Sequence, residues 1–197
     1  IYGQDGNDEI YGGEHQGLIY GGIGDDSISG DASKDTIYGE DGNDSITGGD
    51  DDDVLEGGSG NDTIYGGGGN DSINGGSGGN ILKGDSGNDT LIGGSANDRA
   101  LFNGNRSDYT LTYSNPAGAL NTNSITTNGT DGVDVITNVE TLRFDDQDIT
   151  NVDRNSGLTA WSTLSGTPTL EINGSGVETT SLQTNEVVSL GSTLGDD

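Results

Sequence analysis

The chain has no cysteine and no methionine, and its 197 residues include two prolines, one histidine and one tryptophan. Without cysteine there is no disulfide staple and no thiolate zinc or redox centre. A single histidine excludes the histidine pair of a zinc protease, and without a thiol it leaves a nucleophile-plus-base arrangement unsupported. The chain is therefore read as having no enzyme activity of its own. Apolar residues make up only 27%, and no apolar run approaches the length of a membrane span. Basic residues are equally scarce, with Lys+Arg 6 against Asp+Glu 34 and a formal net charge of −28. That balance disfavours nucleic acid and anionic membrane surfaces as partners. Low hydrophobicity with such a charge ordinarily means disorder. An ordered fold needs strict regularity and a cation to neutralise the acid.

The regularity is present. From Ile1 to Leu101 one nine-residue phrase recurs eleven times, most cleanly as Gly57-Gly58-Ser59-Gly60-Asn61-Asp62-Thr63-Ile64-Tyr65. Glycine opens every copy, from Gly3 to Gly93 in steps of nine. Slot six is Asp8, Asp26, Asp35, Asp44, Asp53, Asp62, Asp71, Asp89 and Asp98, replaced only by Gly17 and Asn80. Slot eight is Ile or Leu from Ile10 to Leu91 and decays to Ala100. A period of this length is the signature of a stacked solenoid.

Slots one to six carry turn chemistry, and slots seven to nine are short and β-prone. The expected path is turn, three-residue strand, turn, three-residue strand, so that two phrases make one full coil. Slot eight then fills the interior between two sheets, and Ser, Thr and Tyr of slots seven and nine face outward. Every second phrase stacks. Asp8, Asp26, Asp44 and Asp62 line one edge, continued by Asn80 and Asp98; Asp35, Asp53, Asp71 and Asp89 line the other, after Gly17. Carboxylates one strand spacing apart, roughly 4.8 Å, repel by about 1 kcal/mol even in water. A hard divalent cation reverses that sign. Calcium takes six to eight oxygens and accepts main-chain carbonyls, which suits a soft glycine-rich loop better than the strict octahedron of magnesium. One aspartate in one such turn is a residue capping its own backbone; nine in one register are a metal row.

The phrase resembles the GGxGxDxUx nonapeptide of the repeats-in-toxin (RTX) family, fully over Gly21–Asp26, Gly57–Asp62 and Gly66–Asp71. The resemblance implies an all-β, right-handed parallel β-roll that binds calcium between stacked loops. Each loop would contribute its slot-six carboxylate and main-chain carbonyls, with Gly24, Gly42, Gly60 and Gly69 taken as carbonyl positions. An interior aspartate such as Asp26 or Asp53 would bridge two ions. Aspartate pairs two phrases apart give six well-founded sites: 8/26, 26/44 and 44/62 on one edge, and 35/53, 53/71 and 71/89 on the other. Pairs that use Gly17 or Asn80 lose an anionic ligand.

Three side features have plainer readings. Tyr2, Tyr20 and Tyr38 share slot nine in alternate phrases, which predicts an outward ladder; surface polysaccharide is a candidate ligand, and cross-strand stacking its simpler role. His15, in a degenerate loop, reads as tolerated drift. Asp50, Asp51 and Asp52 read as a solvated rim beside Asp53.

The period ends near Ala100. Residues 102–150 form alternating β-type segments that resemble the stretch closing an RTX roll, with large apolar residues to cover its core. Arg99, Arg106 and Arg143 are expected to meet acid there. Residues 151–197 read as a Ser/Thr/Gly-rich β appendage or a linker to a following block, with weak strands near 168–173 and 186–190. Ile1-Tyr2 fill the last two slots of a phrase, and Gly191–Asp197 resembles a new opening. The expectation is one unit of a longer tandem protein, with neighbouring copies or blocks as partners. Function then reads as a calcium-dependent structural module, secreted by the type I route typical of the family, in a bacterial surface layer, adhesin or filament. The competing reading is a recognition or secretion module attached to a secreted enzyme, such as a polysaccharide-modifying enzyme or protease. Ice binding would need a more regular outward ladder than slots seven and nine supply.

Overall fold

The structure is a computed structural model that describes residues 1–114, 124–129, 131–150 and 171–172. Twelve strands follow one another through the repeats: β1 (Tyr2–Asp5), β2 (Glu9–Tyr11), β3 (Leu18–Ile23), β4 (Ser27–Asp31), β5 (Thr36–Asp41), β6 (Ser45–Gly49), β7 (Val54–Ser59), β8 (Thr63–Gly68), β9 (Ser72–Ser77), β10 (Ile81–Ser86), β11 (Thr90–Ser95) and β12 (Arg99–Leu101). Odd strands stack in one sheet and even strands in the other. Every neighbouring pair in the roll is parallel and in register two phrases apart, such as Ile19↔Ile37 and Ile46↔Ile64. The result is the expected parallel β-solenoid, about six coils tall.

Slot eight forms the core. Ile19, Ile37, Ile46, Ile64, Ile73, Leu82 and Leu91 are fully enclosed, each meeting its counterparts in the coils on either side. Burying one such side chain stabilises by roughly 1.5–3 kcal/mol, and each phrase supplies only one.

The strands are longer than the three residues expected, reaching six in β3 and β5. Slots two and three pair again after the slot-one glycine, as Gly22↔Glu40 and Ile23↔Asp41. Only slots four to six turn the chain. Slot two is left-handed even where it is not glycine, with φ 83 at Gln4, 74 at Asp31, 76 at Glu40 and 67 at Asp85. These residues are held against their own preference. The tyrosine ladder forms as expected, with ring centroids 4.9 Å apart for Tyr2–Tyr20 and 5.1 Å for Tyr20–Tyr38.

Beyond β12 come a 3-10 turn (Arg106–Asp108), β13 (Thr110–Ser114), β14 (Ser124–Asn128), β15 (Val135–Thr137), β16 (Thr141–Arg143), β17 (Asp148–Thr150) and β18 (Glu171–Ile172). β15 adds to the first sheet parallel to β11, and β16 to the second parallel to β12. β14 and β17 turn back antiparallel on them. Phe102, Tyr109 and Phe144 pack with centroids 5.1–5.5 Å apart, buried with Ala100, Ile136 and Leu142. Arg143 lies 3.8 Å from Asp148. Arg106 sits beside Asp146, which accepts its backbone N–H at 2.8 Å, while its guanidinium donates to the Tyr109 carbonyl at 2.6 Å and sits 5.9 Å from the Phe144 ring centre. Arg99 is half-buried. Of 151–197, Glu171–Ile172 pairs with β13 in parallel; the other expectations there, including the tandem junction, lie outside the described residues.

Ile64→Ala, in the middle of the stack, should lower the calcium-loaded unfolding free energy by about 2–5 kcal/mol. Val54→Ser, on an exposed slot seven, should change it by less than about 0.5 kcal/mol. Chemical denaturation of both variants checks the contrast.

Candidate metal centre

The slot-six side chains form two continuous chains of hydrogen bonds, one along each edge. Each carboxylate accepts, through Oδ1, the backbone N–H of slot six one coil earlier. On the first edge Asp8 donates to Asp26 at 2.8 Å, Asp26 to Asp44 at 2.8 Å, Asp44 to Asp62 at 2.9 Å, Asp62 to Asn80 at 2.9 Å and Asn80 to Asp98 at 2.8 Å. On the second, Gly17 donates to Asp35 at 2.5 Å, Asp35 to Asp53 at 2.7 Å, Asp53 to Asp71 at 2.8 Å and Asp71 to Asp89 at 2.8 Å. These N–H donors are buried with their acceptors, apart from the part-buried Asp8 and Gly17.

The other oxygen has a different fate. Oδ2 of Asp8, Asp26, Asp35, Asp44, Asp53, Asp62, Asp71 and Asp89 is buried without a hydrogen-bond partner. It faces main-chain oxygen. A Cβ built on Gly21 would stand 2.5 Å from Asp26 Oδ2 and 2.7 Å from the Gly39 carbonyl oxygen of the next coil. The same two oxygens crowd Gly3, Gly30, Gly39, Gly48, Gly57 and Gly66, so slot one tolerates no side chain. The predicted carbonyl positions also point between coils: the oxygens of Gly24, Gly42, Gly60 and Gly69 aim at the slot-four glycine one coil on, where a Cβ would overlap them.

Asn80 shows what this place requires. Its Oδ1 accepts from Asp62 as an aspartate would, but its Nδ2 donates to the Gly78 carbonyl at 3.2 Å and to the Gly93 carbonyl at 3.4 Å. Gly78 is the slot-four glycine of its own loop and Gly93 the slot-one glycine of the next coil. An aspartate puts an acceptor where Asn80 puts a donor. A buried carboxylate oxygen facing carbonyl oxygens is destabilising unless a proton or a cation lies among them. Carboxylate plus carbonyl oxygen is a calcium donor set, and the residues fit that ion. Among the described residues no group of three or more His, Cys, Asp or Glu side chains converges, so a site here must be built from row carboxylates and main-chain oxygens.

Burial, against the stabilising N–H bond and in concert with neighbouring carboxylates, pushes the protonation equilibrium of Asp44, Asp53 and Asp89 up to about 6 and of Asp71 to about 7. Asp35 and Asp62 are raised as well, chiefly by burial.

A second set of ladders escaped the sequence reading. Slot-five side chains accept from the backbone one coil later, the opposite direction: Asn43 N–H to Asp25 at 2.8 Å, Asn61 to Asn43 at 2.9 Å, and Asn70 to Asp52 at 2.8 Å. The Gly-Asn-Asp triplet of the cleanest copies carried that signal. Asp52, half-buried, also pairs with Lys34, so it belongs to this ladder, whereas Asp50 and Asp51 are exposed at the rim. His15 is exposed in its loop. Asp98 donates its backbone N–H to Glu140 at 2.6 Å, and Asp89 to Asp134 at 3.0 Å, so both rows continue past the last phrase onto residues the period did not mark.

Two outcomes follow. A carboxylate whose folded-state equilibrium is raised stabilises the fold below its unfolded value, near 3.8, and that contribution is lost as pH rises through about 6 to about 7. In chelator, β-sheet circular dichroism should therefore increase as pH falls through that window. Asn80→Asp removes two N–H bonds and adds a buried acceptor. It should lower stability in chelator and raise the number of calcium ions bound in dialysis.

No curated protein matches the chain. The sequence model of the RTX calcium-binding nonapeptide repeat matches it in four copies, over residues 1–15, 18–46, 47–82 and 74–100. Repeats of this kind bind calcium and are modules of secreted bacterial proteins. Through residues 1–100 the chain belongs to the RTX calcium-binding nonapeptide-repeat family.

Proposed function

We propose that this chain is a structural module of a secreted or cell-surface bacterial protein, closed by calcium outside the cell. Residues 1–101 are the calcium roll, residues 102–150 cover its end, and the six aspartate pairs two phrases apart, with the slot-four carbonyls, hold the ions. The observation that carries the reading is the contrast between Asn80, whose amide group satisfies two carbonyls, and the aspartates, whose buried Oδ2 meets carbonyl oxygen with no proton between. Metal binding and folding are then one event. Where calcium is scarce, row carboxylates repel and the chain stays open enough to thread a secretion channel. Where it is abundant, each ion joins two coils. A surface-layer, adhesin or filament component uses such a module as a stiff spacer. The tyrosine ladder is a stacking contact in this reading, and polysaccharide is not needed to account for it.

Circular dichroism during a calcium titration, with magnesium as control, tests the proposal. A gain of β signal below ~10 mM calcium that magnesium does not reproduce is expected; a spectrum indifferent to calcium would refute it. Changing Asp26, Asp44, Asp53 and Asp71 together to Ala should move the midpoint to higher calcium. An unmoved midpoint removes those residues from the ligand set.

A further inference from the structure

The two sheets do not end where the sequence period ends. Ser72 pairs with Thr90 two phrases on, but Thr90 pairs with Val135 five phrases on, so a segment three phrases long is looped out between them. The excursion is a whole number of phrases, and the register survives it. Gly129-Thr130-Asp131-Gly132-Val133-Asp134-Val135-Ile136-Thr137 then reads as the nonapeptide, with glycine in slots one and four, aspartate in slot six and isoleucine in slot eight. The family match stops at residue 100.

From slot three to slot seven the loop repeats the hydrogen bonds of the roll, whereas its slot-one Gly129 packs on the Tyr109 ring and bonds with Gly132. Gly87 N–H donates to the Asp131 carbonyl at 2.7 Å, as Gly69 does to Ser86 at 2.9 Å. Val135 N–H donates to the Asp89 carbonyl at 2.8 Å, as Thr90 does to Asp71 at 2.8 Å. Val133 N–H donates to Asn88 Oδ1 at 2.9 Å, extending the slot-five ladder. Asp89 N–H donates to Asp134 Oδ1, extending the slot-six row. The Gly87 carbonyl aims at Gly132 as the Gly69 carbonyl aims at Gly87. Asp134 is 3% exposed, and Asp89, 1% exposed, keeps a buried Oδ2 with no hydrogen-bond partner.

We propose that Asp131–Asp134 belong to a displaced sixth loop of this edge and that Asp89 and Asp134, with carbonyls of the two loops, hold a further calcium ion. That ion would fasten the looped-out segment to the roll. Asp131 ties the same loop back, accepting from the Asn103 N–H at 2.9 Å and from the Tyr109 hydroxyl at 2.7 Å. The opposite edge is not equivalent. Arg99 pairs with Thr141, whereas a full five phrases would bring it to Phe144, so that excursion falls short of its counterpart and breaks the phrase register. Its loop also lacks a slot-four glycine. Glutamate, one methylene longer than aspartate, reaches the Asp98 N–H across the shortened loop, and no ion is assigned there.

The inference rests on the calcium reading above, and the test separates the two. Calcium per chain is counted by elemental analysis after dialysis for the full chain, for Asp134→Asn and for Asp53→Asn. Hydrogen exchange is followed at 131–137 and at 57–65, with calcium and with chelator. Asparagine keeps the Oδ1 acceptor, as Asn80 shows, so the loop retains its hydrogen bonds. Asp134→Asn is expected to lose one ion and the calcium-dependent protection of 131–137, while 57–65 stays protected. If Asp53→Asn loses calcium and Asp134→Asn loses none, the seventh site is wrong and the calcium reading stands. A parent chain that binds no calcium overturns both.

Discussion

Oxygen facing oxygen is the constraint on which this fold depends. Eight row aspartates each keep one buried carboxylate oxygen without a proton donor, and along most of the stack that oxygen and a carbonyl of the next coil both crowd the slot-one glycine. The backbone cannot relieve this. The slot-four and slot-one carbonyls point between the coils because the turn has only slots four to six in which to reverse the chain, and the glycines at those slots leave no room for anything else. The other carboxylate oxygen is committed to an N–H one coil back. The geometry is therefore complete in every respect but charge. A proton would supply the missing positive charge at low pH, and in the calcium reading proposed above a divalent cation would supply it at neutral pH.

The same constraint explains a composition that otherwise forbids folding. One Ile or Leu per phrase yields a core one side chain wide, and a stack of that kind gains little from each added coil. Ordering a phrase costs more in backbone entropy alone, at roughly 1–2 kcal/mol per residue, than one buried Ile returns. Hydrogen bonds narrow the difference: slot-five and slot-six side chains bind the backbone one coil later and one coil earlier, so each loop is gripped from both sides. In the calcium reading proposed above, metal coordination between stacked coils is the remaining term.

The repeat was legible because its slots carry single duties. Slot one is always glycine, slot six is a carboxylate in nine of eleven copies and slot eight fills the core, so the two edges, the two-phrase coil and the tyrosine ladder could all be read from spacing. Strand length could not, since slots two and three pair through backbone groups that any residue carries; Glu40 and Asp41 pair there with Gly58 and Ser59, even though slot two holds Glu40 left-handed. The slot-five ladder was hidden because Gln16, Lys34 and Gly79 interrupt its run of Asn and Asp. Asp134 and Glu140 were hidden for opposite reasons. An insertion three phrases long carried Asp134 away from its row, and a shortened loop replaced the expected aspartate with a longer acid at Glu140. A period search sees sequence distance, whereas the stack enforces only spatial distance.

Gly17 and Asn80 mark two different ways to leave a carboxylate out of a row. Gly17 offers its N–H to Asp35 and brings no side chain, so the row simply begins at Asp35. Asn80 keeps the row intact and replaces the missing charge with a donor, joining Gly78 and Gly93 across the same gap. The first sits near one end of the stack, where few coils depend on it. The second sits inside the stack, between Asp62 and Asp98, where a bare gap would leave carbonyls facing one another. In a nearest-neighbour stack, a defect weakens the two interfaces it touches. An interior slot six without a carboxylate therefore carries its own donor, and Asn80 is the one slot-six residue among those described that does.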